Sequence, residues 1–91
     1  MIFNVKLSKK AVKKLKQLDG NTKKKIKEKL KDFAREPFSH DVKKLIGSRD
    51  PPLYRLRVGD YRIIFWIDWG KRTIFVERII HRSEGYDLLL D

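Results

Sequence analysis

Six residues in the second half of the chain could do chemistry on a phosphodiester. Arg55 and Arg57 stand two apart in a stretch that alternates polar and apolar residues, so both project from one face of a strand. Arg62 follows a Gly59-Asp60 pair and falls on the next strand. His81 and Arg82 close a last strand, and Tyr86 follows within about one helical turn. Hairpin pairing can gather these into a concave patch of arginines with one imidazole and one phenol. Arginine forks fit phosphate oxygens in pairs and can stabilise charge that develops at phosphorus. An aromatic ring can stack on a base. Cleaving RNA with its own 2′-hydroxyl requires that hydroxyl to lose a proton and the 5′-oxygen to gain one, and histidine is the side chain type suited to both near neutral pH. Each residue alone has a plainer use. Strand arginines pair with cross-strand carboxylates, and a strand-end histidine is ordinarily solvated.

Other chemistries are poorly supplied. The chain has no cysteine, which excludes a disulfide scaffold, a thiolate metal site and a cysteine nucleophile. His40 and His81, without a carboxylate cluster at ligand spacing, do not make a metal site. His40 sits among Pro37, Phe38 and Ser39 and reads as an exposed loop residue. There is no glycine-rich phosphate loop and no Gly-x-Ser-x-Gly elbow. No metal and no cofactor are therefore expected.

The charge points to a polyanion. Lys and Arg total 23 against 12 Asp and Glu in 91 residues, a net of +11. Residues 1–50 carry 16 basic and 6 acidic side chains, whereas residues 51–91 carry 7 and 6. Lysines crowd the first half and arginines the second. Lysine is a flexible point charge and arginine a rigid fork, so the first half reads as a diffuse attractor and the second as a site that grips. The candidate RNA or ribosome contacts are Lys9, Lys10, Lys13, Lys14, Lys24, Lys27, Lys31, Lys43 and Lys44. No apolar run approaches the ~20 residues of a spanning helix. The first residues lack the pattern of a secretory signal. The expectation is one cytoplasmic domain over residues 1–91 with no membrane partner.

These residues need a scaffold to position them. Ile2 to Leu7 alternates as a half-buried strand. Ser8 can cap a helix whose stripe is Ala11, Val12, Leu15 and Leu18, and Asp19-Gly20 is expected to end it, with Gly20 in the left-handed cap position. Asn21 or Thr22 then starts a second helix with the stripe Ile26, Leu30, Phe33 and Ala34, stopped by Pro37. Residues 37–52 read as loop, with a short irregular element near Lys43–Ile46. Strands follow over Leu53–Val58, Tyr61–Trp69 and Thr73–His81, the first two joined by a tight turn. Ser83–Asp91 could form a short terminal helix. The order β-α-α-β-β-β describes an α+β domain: a twisted, mostly antiparallel sheet with the helical hairpin packed on it.

Two stretches carry a family resemblance. Val42-Lys43-Lys44-Leu45-Ile46-Gly47 followed by Leu53-Tyr54-Arg55-Leu56-Arg57-Val58-Gly59-Asp60-Tyr61-Arg62-Ile63-Ile64-Phe65 resembles the central signature of the RelE/ParE toxin superfamily. Ile79-Ile80-His81-Arg82-Ser83-Glu84-Gly85-Tyr86 resembles its strand-end motif. The resemblance covers nearly the whole chain. Its RelE branch implies a ribosome-dependent mRNA endonuclease that works without metal, by attack of the 2′-hydroxyl. The family's site positions carry over to Arg55, Arg57, Arg62 and Tyr86, with the strand-end basic position on His81 or Arg82. Two departures stand out. Lys43-Lys44-Leu45-Ile46 offers no carboxylate where some relatives have a general base, and arginines replace lysines at 55 and 57. The ParE branch implies instead a gyrase inhibitor, and a non-catalytic basic binding module is a third reading. The resemblance also implies an acidic, RelB-like antitoxin, with ribosome and mRNA as the other partners.

Overall fold

A computed structural model describes residues 2–37, 41–45, 47 and 50–84. Residues 85–91, which would hold most of the expected terminal helix and Tyr86, and His40 lie outside these residues. The alternating start forms β1 (Asn4–Leu7). Ser8 follows as the N-cap of α1 (Lys9–Gln17), its Oγ accepting the Ala11 N–H at 3.0 Å. Such a cap is worth about 1 kcal/mol. The same hydroxyl donates to the Glu77 carbonyl at 2.6 Å, so the cap also ties the helix to the sheet.

Two expectations at the interhelical turn are corrected. Gly20 is not a left-handed cap, and the second helix does not begin at Asn21 or Thr22. α1 ends with Leu18 as C-cap, and Asp19 caps α2 (Gly20–Arg35), of which Gly20 is the first residue. Asp19 accepts the Thr22 N–H, and the carboxylate is the stronger organiser of so short a turn. Bonds from the Thr22 hydroxyl and backbone hold its carboxyl below the usual aspartate range.

The strands are β2 (Val42–Lys44), β3 (Tyr54–Val58), β4 (Tyr61–Asp68) and β5 (Thr73–His81). They form one sheet in the order β1-β5-β4-β3-β2. β1 runs parallel to β5 and the remaining neighbours are antiparallel. The α+β class stands, with one strand more than the sequence indicates. β2 is a regular edge strand, paired Val42 to Leu56, Lys43 to Arg55 and Lys44 to Tyr54. Gly59 turns β3 into β4 at φ +57°, a left-handed conformation that glycine adopts without steric cost.

α2 buries its whole stripe and α1 buries Ala11 and Leu15 on one face of the sheet; Val12, expected in the α1 stripe, is exposed instead, and Leu18, its C-cap, is only half-buried. Ala11, Leu15, Ile26, Leu30 and Phe33 pack with Leu56, Ile63, Phe65, Ile74, Val76 and Ile79. Phe33 meets Phe65 edge to face at 4.9 Å. A smaller cluster, Leu53, Ile64 and Ile80 with Leu45 and Trp66, occupies the opposite face. No helix among the described residues is long and apolar enough to cross a membrane.

Candidate nucleic-acid site on the sheet

The alternation of β3 puts Tyr54, Leu56 and Val58 on the helix side and Arg55 and Arg57 on the other. β4 continues the pattern across the turn. Arg57 pairs directly with Arg62, and Arg55 with Ile64. Directly paired residues share a face, so three of the expected arginines do lie together. Lys43, opposite Arg55, joins them from β2.

The arginines are held differently. The Arg55 side chain is only 9% exposed, and its Nη1 lies 3.6 Å from Asp41 Oδ1. Arg57 is half exposed, with Nη1 3.9 Å from Asp41 Oδ2. Arg62 donates from Nη1 to the carbonyls of Gly59 at 3.1 Å and Tyr61 at 3.0 Å. It thus braces the hairpin turn it follows. Arg62 forms no ion pair with Asp60 or Asp68, the carboxylates nearest it in sequence, among the described residues. Arg82 takes Asp60 at 3.6 Å, and Asp68 accepts the Lys71 N–H.

His81 is not on the arginine face. It pairs with Tyr61, whereas Arg62 pairs with Ile80. The cause is a β-bulge. Phe65 pairs with Val76, but Ile64 pairs with Arg78, so Glu77 is an extra residue on β5. Counting alternate residues from Val76 would place His81 with the arginines; the bulge reverses that parity. The Ser8 hydroxyl bonds the Glu77 carbonyl, and Glu77 itself accepts the Trp66 indole N–H at 2.7 Å. Both contacts hold the extra residue in place.

On the helix side His81 is tightly seated. The Tyr61 ring meets it edge-on at 5.1 Å. Its Nδ1 accepts the Ser83 backbone N–H at 3.1 Å and lies 2.8 Å from the Ser83 hydroxyl. Because a backbone N–H can only donate, this pattern assigns the neutral ring the Nε2–H tautomer. His81 then presents a donor, and its lone pair is spent on Ser83. The His81 backbone N–H donates to Glu84 Oε1 at 3.3 Å, and the Lys14 ammonium reaches the same oxygen at 3.2 Å. Burial opposes the charge on Glu84, but these two donors outweigh it and hold the carboxyl below its ordinary value.

The basic helices supply a second surface. Lys9, Lys10, Lys13, Lys24, Lys27 and Lys31 are exposed, and so are Lys43 and Lys44 on β2. A shallow groove along α2 is lined by Gly20, Lys23, Lys24, Lys27, Glu28 and Lys31. Lys14 differs, being half-buried in its pair with Glu84. No His, Asp and Glu cluster suited to a metal exists among the described residues. The residue that sequence reasoning missed is Asp41. The signal was there: it sits one position before Val42, which pairs with Leu56, so it comes level with Arg57.

Known proteins share this architecture. The family model described as the ParE toxin of the type II toxin–antitoxin system parDE matches residues 5–86. In Methanocaldococcus jannaschii, the proteins RelE1 and toxin RelE3 are each 34% identical over 89 residues. They cover 94% and 93% of this chain and 97% of each relative. The archaeal RelE–RelB complex from Pyrococcus horikoshii OT3 contains a chain that superposes with a TM-score of 0.77 at 33% identity, over 93% of this chain and 100% of that one. With the helical hairpin, the five-stranded sheet and the near-complete match in hand, the chain belongs to the RelE/ParE family of toxins of type II toxin–antitoxin systems.

Proposed function

We propose that this toxin is an endoribonuclease that cleaves mRNA on the ribosome and so stops translation. The observation that carries the reading is the row formed by Arg55, Arg57 and Arg62 on one face of two adjacent strands. Such a row fits the non-bridging oxygens of a phosphodiester, whose charge grows as the 2′-oxygen attacks. In that step the 2′-hydroxyl loses its proton, the new P–O bond closes a 2′,3′-cyclic phosphate, and the 5′-oxygen departs carrying a proton. Arg62, already fixed against the turn carbonyls, is assigned to transition-state charge, and Arg55 and Arg57 to holding the phosphate. His81, Arg82 and Tyr86 remain assigned to the site through the family motif. With its lone pair held by Ser83, His81 acts as a hydrogen-bond donor and not as the base. Substrate orientation by the ribosome supplies much of the acceleration. The lysine-rich helices attract that particle. The RelE–RelB complexes of related proteins support a cognate antitoxin here, and a surface of net +11 suits an acidic one.

The test is single-turnover cleavage of ribosome-bound mRNA, with primer extension to map the ends. Wild type should cut bound mRNA far faster than free RNA and leave cyclic phosphate ends. Arg62→Ala should lower the rate ~100–1000-fold with a much smaller loss of binding. Equal rates on free and bound RNA, or an intact rate in Arg62→Ala, would refute the assignment. The seating of His81 away from the arginines favours a second reading, a ParE-like gyrase inhibitor, which needs no such pairing. Double-strand DNA breaks with translation initially intact after brief induction would select it.

A further inference from the structure

We propose that Asp41 is a resident counter-ion in an oxyanion site made by Arg55 and Arg57, displaced when a backbone phosphate of RNA enters. The proposal takes from the functional reading only that RNA is the ligand. Arg55 is buried to more than nine-tenths of its side chain, yet its Nη1 makes no hydrogen bond among the described residues. A buried guanidinium nitrogen without an acceptor is costly. Asp41 lies at 3.6 Å from Arg55 and 3.9 Å from Arg57. These separations balance charge, but both exceed the ~2.7–3.2 Å of an N–H···O hydrogen bond. The carboxylate therefore neutralises the pair without satisfying it. A phosphate brings tetrahedral oxygens that can approach both forks at hydrogen-bond length.

The placement suits displacement. Asp41 is well exposed and stands outside β2, where its side chain can swing clear. Lys43 and Arg62 share its face, so removing one negative charge leaves four positive groups facing the ligand. Asp41 thus competes with every anion that approaches.

The experiment measures binding of a fluorescent, uncleavable 2′-O-methyl oligoribonucleotide to the full chain by anisotropy at fixed ionic strength. Asp41→Asn should tighten binding about three- to tenfold, the size of one or two partly screened ion pairs. Asp41→Ser should do the same. Asp68→Asn makes the same charge change at the far end of β4 from Arg62, keeps an acceptor for the Lys71 N–H and should move the affinity less than twofold. Adding Arg57→Gln to Asp41→Asn should abolish the gain. Unchanged or weaker binding in both Asp41 variants, a gain matched by Asp68→Asn, or a gain that survives Arg57→Gln would overturn the proposal. If the gain appears but wild type fails to cleave ribosome-bound mRNA, the oxyanion site stands and the endonuclease reading falls.

Discussion

Replacing Glu84 with glutamine should loosen the end of β5 by an amount that depends on Lys14. One carboxylate oxygen receives the Lys14 ammonium at 3.2 Å and the His81 backbone N–H at 3.3 Å. Glutamine keeps an acceptor for the N–H and removes the charge, so the variant isolates the ionic part. At 3.2 Å and an effective dielectric of about 20, the bare Coulomb attraction is roughly 5 kcal/mol. Both side chains are about one-third exposed, so desolvation and side-chain entropy cancel most of it. Exposed pairs retain ~0.2–1 kcal/mol and hydrogen bonds to charged groups ~1.5–3 kcal/mol. A coupling of about 0.5–1.5 kcal/mol is expected, which for a domain of this size shifts Tm by roughly 2–12 °C. The assay is a double-mutant cycle of Glu84→Gln with Lys14→Met by denaturant melts. The pH dependence has a definite sign. The folded carboxyl lies below its ordinary value, so its contribution is present above that value and lost as pH falls through the lowered one. The coupling should accordingly be full at neutral pH and vanish in strong acid. Additive single mutants at neutral pH, or a coupling that survives acid, would refute the reasoning.

Two further outcomes follow from the same geometry. Phe33→Ala removes a buried ring stacked edge-on against Phe65; a loss of about 3–5 kcal/mol by urea melt is expected, and a loss under 1 kcal/mol would place the core elsewhere. Binding of RNA should fall by orders of magnitude between about 50 and 200 mM salt, and Lys24→Gln, Lys27→Gln and Lys31→Gln together should reduce the log–log slope by about 2–3; an unchanged slope would remove α2 from the binding surface.

Particular residues show where the sequence was sufficient. Ser8, Gly59 and Pro37 each mark a boundary through their own chemistry, and the α2 stripe names its buried residues directly, whereas in α1 Val12 sits at the stripe's margin and stays exposed. β2 was obscure because three residues carry almost no periodic signal; only its pairing with β3 makes it a strand. Asp19 and Gly20 admitted two local solutions, a C-cap for one helix or an N-cap for the next, and the carboxylate decided between them. The arginine row was legible because a tight hairpin fixes register. The side of His81 was not. A bulge depends on a long-range contact, Ser8 to Glu77, and period-two counting cannot see it. Asp41 escaped notice for a related reason, since it acquires meaning only when the edge strand places it level with Arg57.

The brevity of β2 has a consequence for how copies of this protein meet. An open sheet edge is a template on which a second chain can add a strand, and growth of that kind ends in aggregates. Here β2, outermost on its side of the sheet among the described residues, offers three residues, two of them exposed lysines. Two such edges brought together would face like charges across a few ångströms while gaining few hydrogen bonds. The lysines assigned to RNA thus also act as gatekeepers: they bar self-pairing at this margin of the sheet, yet leave it open to a chain that brings carboxylates.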